Sequence, residues 1–340
     1  MTCDENLGDG YSVGPLRIVG RAVLAPLSGV TDLGFRRVAR RFGAALVVSE
    51  MVASDDYVLG AAEARLRAEG EGVAPHVVQL AGCEPGWMAE AARLAEASGA
   101  SVIDINMGCP AKRVTGGHAG SALMRDLDLA TRLIEAVRGA VSVPVTVKMR
   151  LGWDHAHLNA PELARRAEAA GVAAVTIHGR TRQQFYKGNA DWRAIAEVTR
   201  AVAIPVVANG DIGSTDDARR CLAASEATAV MVGRAAVGRP WLVGRIAAEL
   251  AGRSYAEPTL AEKGEAAVEH YETLLSLFGR DAGVRHARKH LAAYADAATE
   301  DGGGLKPADR LRLVTTDDPA TARALIRQAF AARPELRAAA

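Results

Sequence analysis

The sequence predicts an α/β protein, a TIM (β/α)8 barrel followed by a C-terminal all-α helical domain, and three features carry that expectation. From about residue 22 to about residue 250, short β-branched runs alternate with Ala-, Arg- and Glu-rich helical stretches. Eight such runs can be counted, enough to close a parallel sheet on itself and leave it without edges. Beyond about residue 252 the β-runs stop and long helical patterns take over, so the expected division is a barrel over 1–250 and a helical domain over 251–340.

The eight runs are Val23 to Leu27, Leu46 to Ser49, His76 to Leu80, Val102 to Asn106, Val145 to Met149, Ala174 to His178, Pro205 to Ala208 and Ala229 to Gly233. Between them lie amphipathic segments such as Asp32 to Phe42, Trp87 to Ser98, Pro161 to Ala170 and Ser214 to Ala223. Two of these open on a capping signature, Asn159-Ala160-Pro161-Glu162 and Ser214-Thr215-Asp216-Asp217. An open doubly wound sheet is the rival architecture, and it calls for a Gly-x-Gly-x-x-Gly turn after an early strand, which the sequence lacks. The helical patterns of the second part are Leu260 to Phe278, Val284 to Ala298 and Pro319 to Ala332, with Asp301-Gly302-Gly303-Gly304 as a turn between them.

With 340 residues, 49% of them hydrophobic, the chain can bury a large core. Its 41 basic and 40 acidic residues leave a net charge of +1, so contact with a nucleic acid must come from a local patch. The first twenty residues carry Asp4, Glu5 and Asp9 without a basic start or apolar run, unlike a signal peptide. No apolar stretch reaches membrane-spanning length. The four cysteines, Cys3, Cys83, Cys109 and Cys221, are scattered without metal-ligand spacing, which suits a reducing cytoplasm. His155 and His157 stand on alternate loop positions without further ligands and read as solvated, so no metal is expected.

Active sites of such barrels are built where the strands end. Here those ends are polar: Pro26-Leu27-Ser28, Glu50, Gln79, Asn106, Lys148, His178, Asn209-Gly210-Asp211 and Gly233-Arg234. A single polar end only marks where a strand meets solvent; a ring of them offers hydrogen bonds to the edge of a flat heteroaromatic ligand. After the last two strands, glycine-rich turns and the cation Arg234 form the expected phosphate site. A ring pocket with a phosphate at its seventh and eighth strands suits riboflavin phosphate (FMN). After the fourth strand, Cys109 lies between Gly108 and Pro110, and a positioned thiol is able to donate a proton.

The segments Leu24-Ala25-Pro26-Leu27-Ser28-Gly29-Val30-Thr31-Asp32, Asp104-Ile105-Asn106-Met107-Gly108-Cys109-Pro110-Ala111-Lys112, Val147-Lys148-Met149-Arg150-Leu151-Gly152-Trp153, His178-Gly179-Arg180-Thr181, Asn209-Gly210-Asp211-Ile212, Gly233-Arg234 and Arg288-Lys289-His290 resemble those of the tRNA-dihydrouridine synthases, specifically the bacterial B-type and NifR3-like group. The resemblance implies a noncovalent FMN, reduced by NADPH (or NADH), that passes hydride to a tRNA uridine. It implies that Pro26, Leu27, Ser28, Gln79, Lys148, Asn209, Gly210, Asp211, Gly233 and Arg234 hold FMN, flanked by Asn106 and His178, with Cys109 as proton donor. Because the uracil is stacked in folded RNA, it must be flipped out, gripped with help from the helical domain. Lys112, Arg113, Arg180, Arg182, Lys187, Arg288 and Lys289 are the candidate tRNA contacts. DNA and membrane are not expected partners, and a monomer is assumed. The chain departs from relatives in two places: no further basic residue stands around Gly116 and Gly117, and Ala293 occupies a position where Trp is common.

Three rivals remain at this stage. One is a lyase using Lys148 as a Schiff-base amine; another is an FMN barrel oxidoreductase acting on a free pyrimidine; the third is a noncatalytic tRNA-binding protein.

Overall fold

The segments Val102–Met107 and Ala174–His178 are buried at every residue, as strands must be when helices cover the outside of a sheet and side chains fill its inside. A computed structural model describes residues 10–111, 114, 116 and 118–332. Its strands are β1 (Gly10–Val13), β2 (Leu16–Val19), β3 (Ala22–Leu24), β4 (Leu46–Ala53), β5 (Val77–Ala81), β6 (Val102–Met107), β7 (Val145–Arg150), β8 (Ala174–His178), β9 (Val206–Asn209) and β10 (Ala229–Val232). Strands β3 to β10 pair in parallel in chain order, and β10 returns to pair with β3, closing the barrel. The fold is a TIM barrel with a C-terminal helical region, as expected.

Several details differ from the sequence expectation. β3 stops at Leu24 because Pro26 has no N–H for the ladder; residues 25–31 form a loop in which the Leu27 amide donates to Thr31 Oγ1 at 2.9 Å. β4 runs on to Ala53 with a register irregularity between Val48 and Met51, so Glu50 lies inside the strand rather than closing it. The β1–β2 hairpin was not anticipated. Its Tyr11, Val13 and Ile18 pack with Val23, Leu46, Val77, Val102, Ala174, Val207 and Ala229, near the starts of the strands, and so seal the barrel end opposite the site.

Ser214 caps its helix as expected, accepting from the Asp217 amide. Asn159 does not: it stands at the N-cap position, but its amide donates to Met124 O at 2.7 Å, while Glu162 pairs with Arg165 and Arg166.

The C-terminal helices are Leu260–Phe278, Arg280–Glu300, Pro307–Thr315 and Pro319–Ala329. The first opens with a capping box between Thr259 and Glu262; the third lacked a clear signal in the sequence. Their apolar faces share a core of their own, including Tyr271, Leu274, Leu291, Tyr294, Leu325 and Phe330, and that core also takes in Trp241 from the preceding helix Trp241–Leu250. Ala293 packs beside Gly238, where a Cβ on the glycine would lie 3.0 Å from Ala293 Cβ, so the small side chain admits the loop after β10. Among the described residues, no helix is long and apolar enough to cross a membrane.

Candidate active site at the barrel mouth

Register puts the polar strand ends side by side: Asn106 pairs with Lys148 across β6 and β7, and His178 with Asn209 across β8 and β9. They open into a cavity of 1270 Å³, above the ~300–1,000 Å³ usual for small-molecule sites. Pro26, Leu27, Ser28, Gln79, Asn106, Lys148, His178, Asn209, Gly210, Asp211, Gly233 and Arg234 all line it, as do Cys109 and Arg180. Arg182, Lys187, Arg288 and Lys289 do not, and Lys112 and Arg113 lie outside the described residues.

The Cys109 loop is held from both sides. Asn106 Oδ1 accepts from the amides of Gly108 (3.1 Å) and Cys109 (2.9 Å), and Cys109 O accepts from the amide and hydroxyl of Ser121. Gly120 has φ +60°, and a Cβ there would lie 2.8 Å from Cys109 O, so only glycine lets the returning chain come this close. Asn106 Nδ2 donates to Gln79 Oε1 at 2.8 Å, Gln79 Nε2 to Asp104 Oδ2 at 2.7 Å, and Thr146 Oγ1 to Asp104 Oδ1 at 2.6 Å. Asn106 and Gln79 therefore belong to one buried chain of hydrogen bonds beneath the mouth, and their side-chain bonds run to the Cys109 loop, to each other and to Asp104. Burial raises the Asp104 carboxyl, with the Thr146 and Gln79 bonds opposing.

Across the mouth, Lys148 Nζ donates to Asn209 Oδ1 at 3.2 Å, and Asn209 Nδ2 to Met231 O at 2.8 Å. Burial, followed by the charge of Arg150, pushes the Lys148 ammonium down to about 8. His178 is lowered well below its usual value, first by burial and then by Lys148 and Arg150, and so is neutral at pH 7. The turn after β9 takes left-handed backbone at Gly210 (φ +122°) and Asp211 (φ +53°). Arg234 is 61% exposed, 3.5 Å from Asp211 Oδ1, with its guanidinium 5.1 Å from the Tyr186 ring.

Arg180, expected as an RNA contact, lines the cavity and also holds the loop after β8. It is buried, and its guanidinium donates to Lys187 O, Gly188 O and Asp211 Oδ2, which anchors the loop after β8. Arg182 stacks 4.9 Å from the Trp153 ring, as Arg125 does; Lys187 is exposed. Arg288 bonds to Asp317 at 2.9 Å within the helical region. His157 pairs with Asp154 on an exposed loop.

The sequence reading passed over Arg150, fully buried, whose Nε donates to Gly108 O (2.7 Å) and Nη1 to Thr181 O (3.0 Å) and Phe185 O (2.9 Å). It ties the Cys109 loop to the β8 loop. A second positive charge two residues after a site lysine was the available signal. Tyr186, half-exposed at the mouth, gave none. Among the described residues, one group has the mutual proximity of metal ligands: Asp32, His270 and His290, within 4.8 Å.

Residues 23–317 match the profile of the dihydrouridine synthase (Dus) family. The chain belongs to that family. It is 55% identical over 325 residues, 95% of this chain and 98% of the relative, to a probable tRNA-dihydrouridine synthase of Rhodobacter capsulatus. It is 49% identical over 285 residues, 83% of this chain and 86% of the relative, to tRNA-dihydrouridine synthase B of Xanthomonas axonopodis pv. citri. Among solved structures it is similar to histamine dehydrogenase from Rhizobium sp. 4-9, with a TM-score of 0.54 and 13% identity, over 79% of this chain and 51% of that one. A 2-naphthoyl-CoA reductase gives a TM-score of 0.54 at 13% identity, over 73% of this chain and 52% of that one. Likeness at that identity speaks of the fold alone.

Proposed function

We propose that this chain is a tRNA-dihydrouridine synthase that binds FMN, draws electrons from NADPH or NADH, and reduces the C5=C6 bond of a tRNA uridine. The observation that carries the reading is the convergence of Cys109 with the polar strand ends on one cavity large enough for a cofactor and a base together. The residues fit FMN: a cation and amides for the edge of a ring, and at the far end a Gly233-Arg234 turn where a Cβ on Gly233 would meet nothing nearer than Ala25 Cβ at 3.9 Å. Pro26 to Ser28, Gln79, Lys148, Asn209 to Asp211, Gly233 and Arg234 would hold it, with Asn106 and His178 beside them. When bound, FMN supplies hydride to C6 of uracil.

Cys109 holds the proton that C5 takes up at its Sγ, and solvent replaces it afterwards. Its loop backbone is fixed by Asn106, Ser121 and Arg150, so the thiol is positioned before substrate arrives. Lys148 keeps most of its charge at pH 7 and presents it beside Asn209, where negative charge developing nearby is stabilised. His178, neutral, offers a hydrogen bond without a second charge. Arg182, Lys187 and the exposed Phe185 and Tyr186 suit phosphates and bases of a flipped strand. Residues 251–340 act as the tRNA-gripping domain. Free thiols at Cys83, Cys109 and Cys221 and a tRNA substrate support a cytoplasmic location.

The test is incubation with NADPH and unmodified tRNA, followed by mass analysis of the nucleosides. A uridine gaining two hydrogens is the expected product, lost in Cys109→Ala. Reduction of free uridine as fast as of tRNA would instead favour an oxidoreductase of free pyrimidines.

A further inference from the structure

The loop between β3 and the first barrel helix, residues 25–32, lines the cavity at one end and reaches the helical region at the other. Pro26, Leu27 and Ser28 face the cavity. Beyond them the loop is tightly wound, with the amides of Val30 and Thr31 both donating to Leu27 O, at 2.8 and 3.0 Å. Displacement at residue 29 or 32 is therefore passed to residue 27.

Two consecutive residues of the helix Arg280–Glu300 hold that far end. Lys289, exposed, overhangs Gly29 so closely that a Cβ there would lie 2.9 Å from its Nζ. The same ammonium acts electrostatically on buried Glu50, whose carboxylate accepts the Gly29 amide. His290, buried, packs against the loop end with Nε2 3.5 Å from Asp32 Oδ2, without a hydrogen bond between them. The Asp32 carboxylate also accepts from the Phe35 amide and lies 3.1 Å from His270 Nε2, whose Nδ1 is 3.0 Å from Tyr294 Oη. Besides the Phe35 amide, the Asp32 carboxylate thus faces His270 and His290, both from the helical region. Arg288, by contrast, faces Asp317.

From this geometry we infer that Lys289 and His290 act inward, as positioning residues. They register the loop 25–32 against the helical region, so that RNA held by that region and cofactor held by the loop favour the same loop position. The inference rests on the flavin and tRNA reading above. It differs from a direct RNA contact in a measurable way: coupling between two ligands is reciprocal and appears as a change in one affinity when the other site is filled.

The experiment measures the tRNA dissociation constant of the full chain with and without saturating FMN, for the wild type, Lys289→Met, His290→Ala and Arg288→Met. FMN should tighten tRNA binding about fivefold or more in the wild type and in Arg288→Met, a range usual for coupled sites. In Lys289→Met, whose exposed side chain keeps folding safe, that factor should fall below about twofold, with an unchanged melting temperature. His290→Ala should behave likewise where it folds. Equal loss of tRNA affinity with and without FMN in Lys289→Met would make Lys289 a plain phosphate contact and overturn the inference, as would absence of coupling in the wild type. A wild type that takes up no FMN would instead sink the flavin reading, and the coupling with it; that outcome is visible before any variant is made.

Discussion

Replacing Arg150 by Met removes the donor for three carbonyl oxygens, of Gly108, Thr181 and Phe185. At ~1–3 kcal/mol for each buried group left unpaired, and with the Phe185 loop free to turn toward water, the low end of the sum, about 3 kcal/mol, is the realistic cost. That cost falls on the contact between the Cys109 loop and the β8 loop rather than on the barrel core. If it is felt as misplacement of the thiol, kcat drops about 100-fold, since ~1.4 kcal/mol is tenfold, while KM for tRNA changes little. A second signature is independent of the first: after burial, the Arg150 charge is the main influence lowering Lys148 to about 8. Activity that needs the ammonium should decline above about pH 8 in the wild type, and in Arg150→Met that decline should move to higher pH. Steady-state kinetics of dihydrouridine formation between pH 6.5 and 9.5 reads both. A folded Arg150→Met protein with kcat within threefold of wild type and an unmoved alkaline limb would refute the reasoning.

Cys109→Ala should lose about 10²–10⁴ in product formation, the usual contribution of a positioned acid, yet bleach its flavin with NADPH at the wild-type rate; slowed bleaching would assign the residue to cofactor binding. Gly120→Ala should lose activity with the barrel intact by circular dichroism, because φ +60° and the 2.8 Å approach to Cys109 O leave no room for a Cβ; wild-type turnover would show that the loop adapts. Stability should fall in mild acid. Burial, then the charge of His270, pushes His290 from 6.5 down to about 3, so the unfolded chain binds a proton below pH 6.5 that the folded one refuses. Asp32 is also involved: burial, the largest single influence, works to raise it, but His270, His290 and the Phe35 amide together bring it from 3.8 down to about 2, so it adds a loss only below pH 3.8. Melting temperatures between pH 7 and 4.5 should therefore drop in the wild type and drop less in His290→Gln; parallel slopes would mean that other groups govern the acid limb.

The barrel was legible because strands covered on both sides are dominated by apolar, β-branched residues, and eight such short runs alternate with helical stretches along the first 250 residues. His178, Asn209 and Lys148 stood out because each interrupts an apolar run where parallel register brings strand ends together. Asp104 and Thr146 did not, since a polar residue inside a strand carries no mark of whether it faces a neighbour or a void, and the Gln79–Asp104–Thr146 bonds exist only once three strands are paired. The inward bond of Arg180 was hidden for a related reason: a basic residue on a site loop looks the same in sequence whether it reaches out or turns in to Asp211. The Asp32–His270–His290 contact joins positions more than two hundred residues apart, and no local pattern announces it. The β1–β2 hairpin, by contrast, had a signal in the alternation of Tyr11, Val13, Leu16 and Ile18 around Gly14-Pro15.

The central claim is tested most directly by the visible spectrum of the purified protein under anaerobic conditions, with NADPH added first and unmodified tRNA second. The account predicts a flavin spectrum that bleaches with NADPH and returns on addition of tRNA, with Cys109→Ala bleaching normally and recovering slowly. A protein that cannot take up FMN, or a bleached flavin that tRNA never reoxidises, would contradict it.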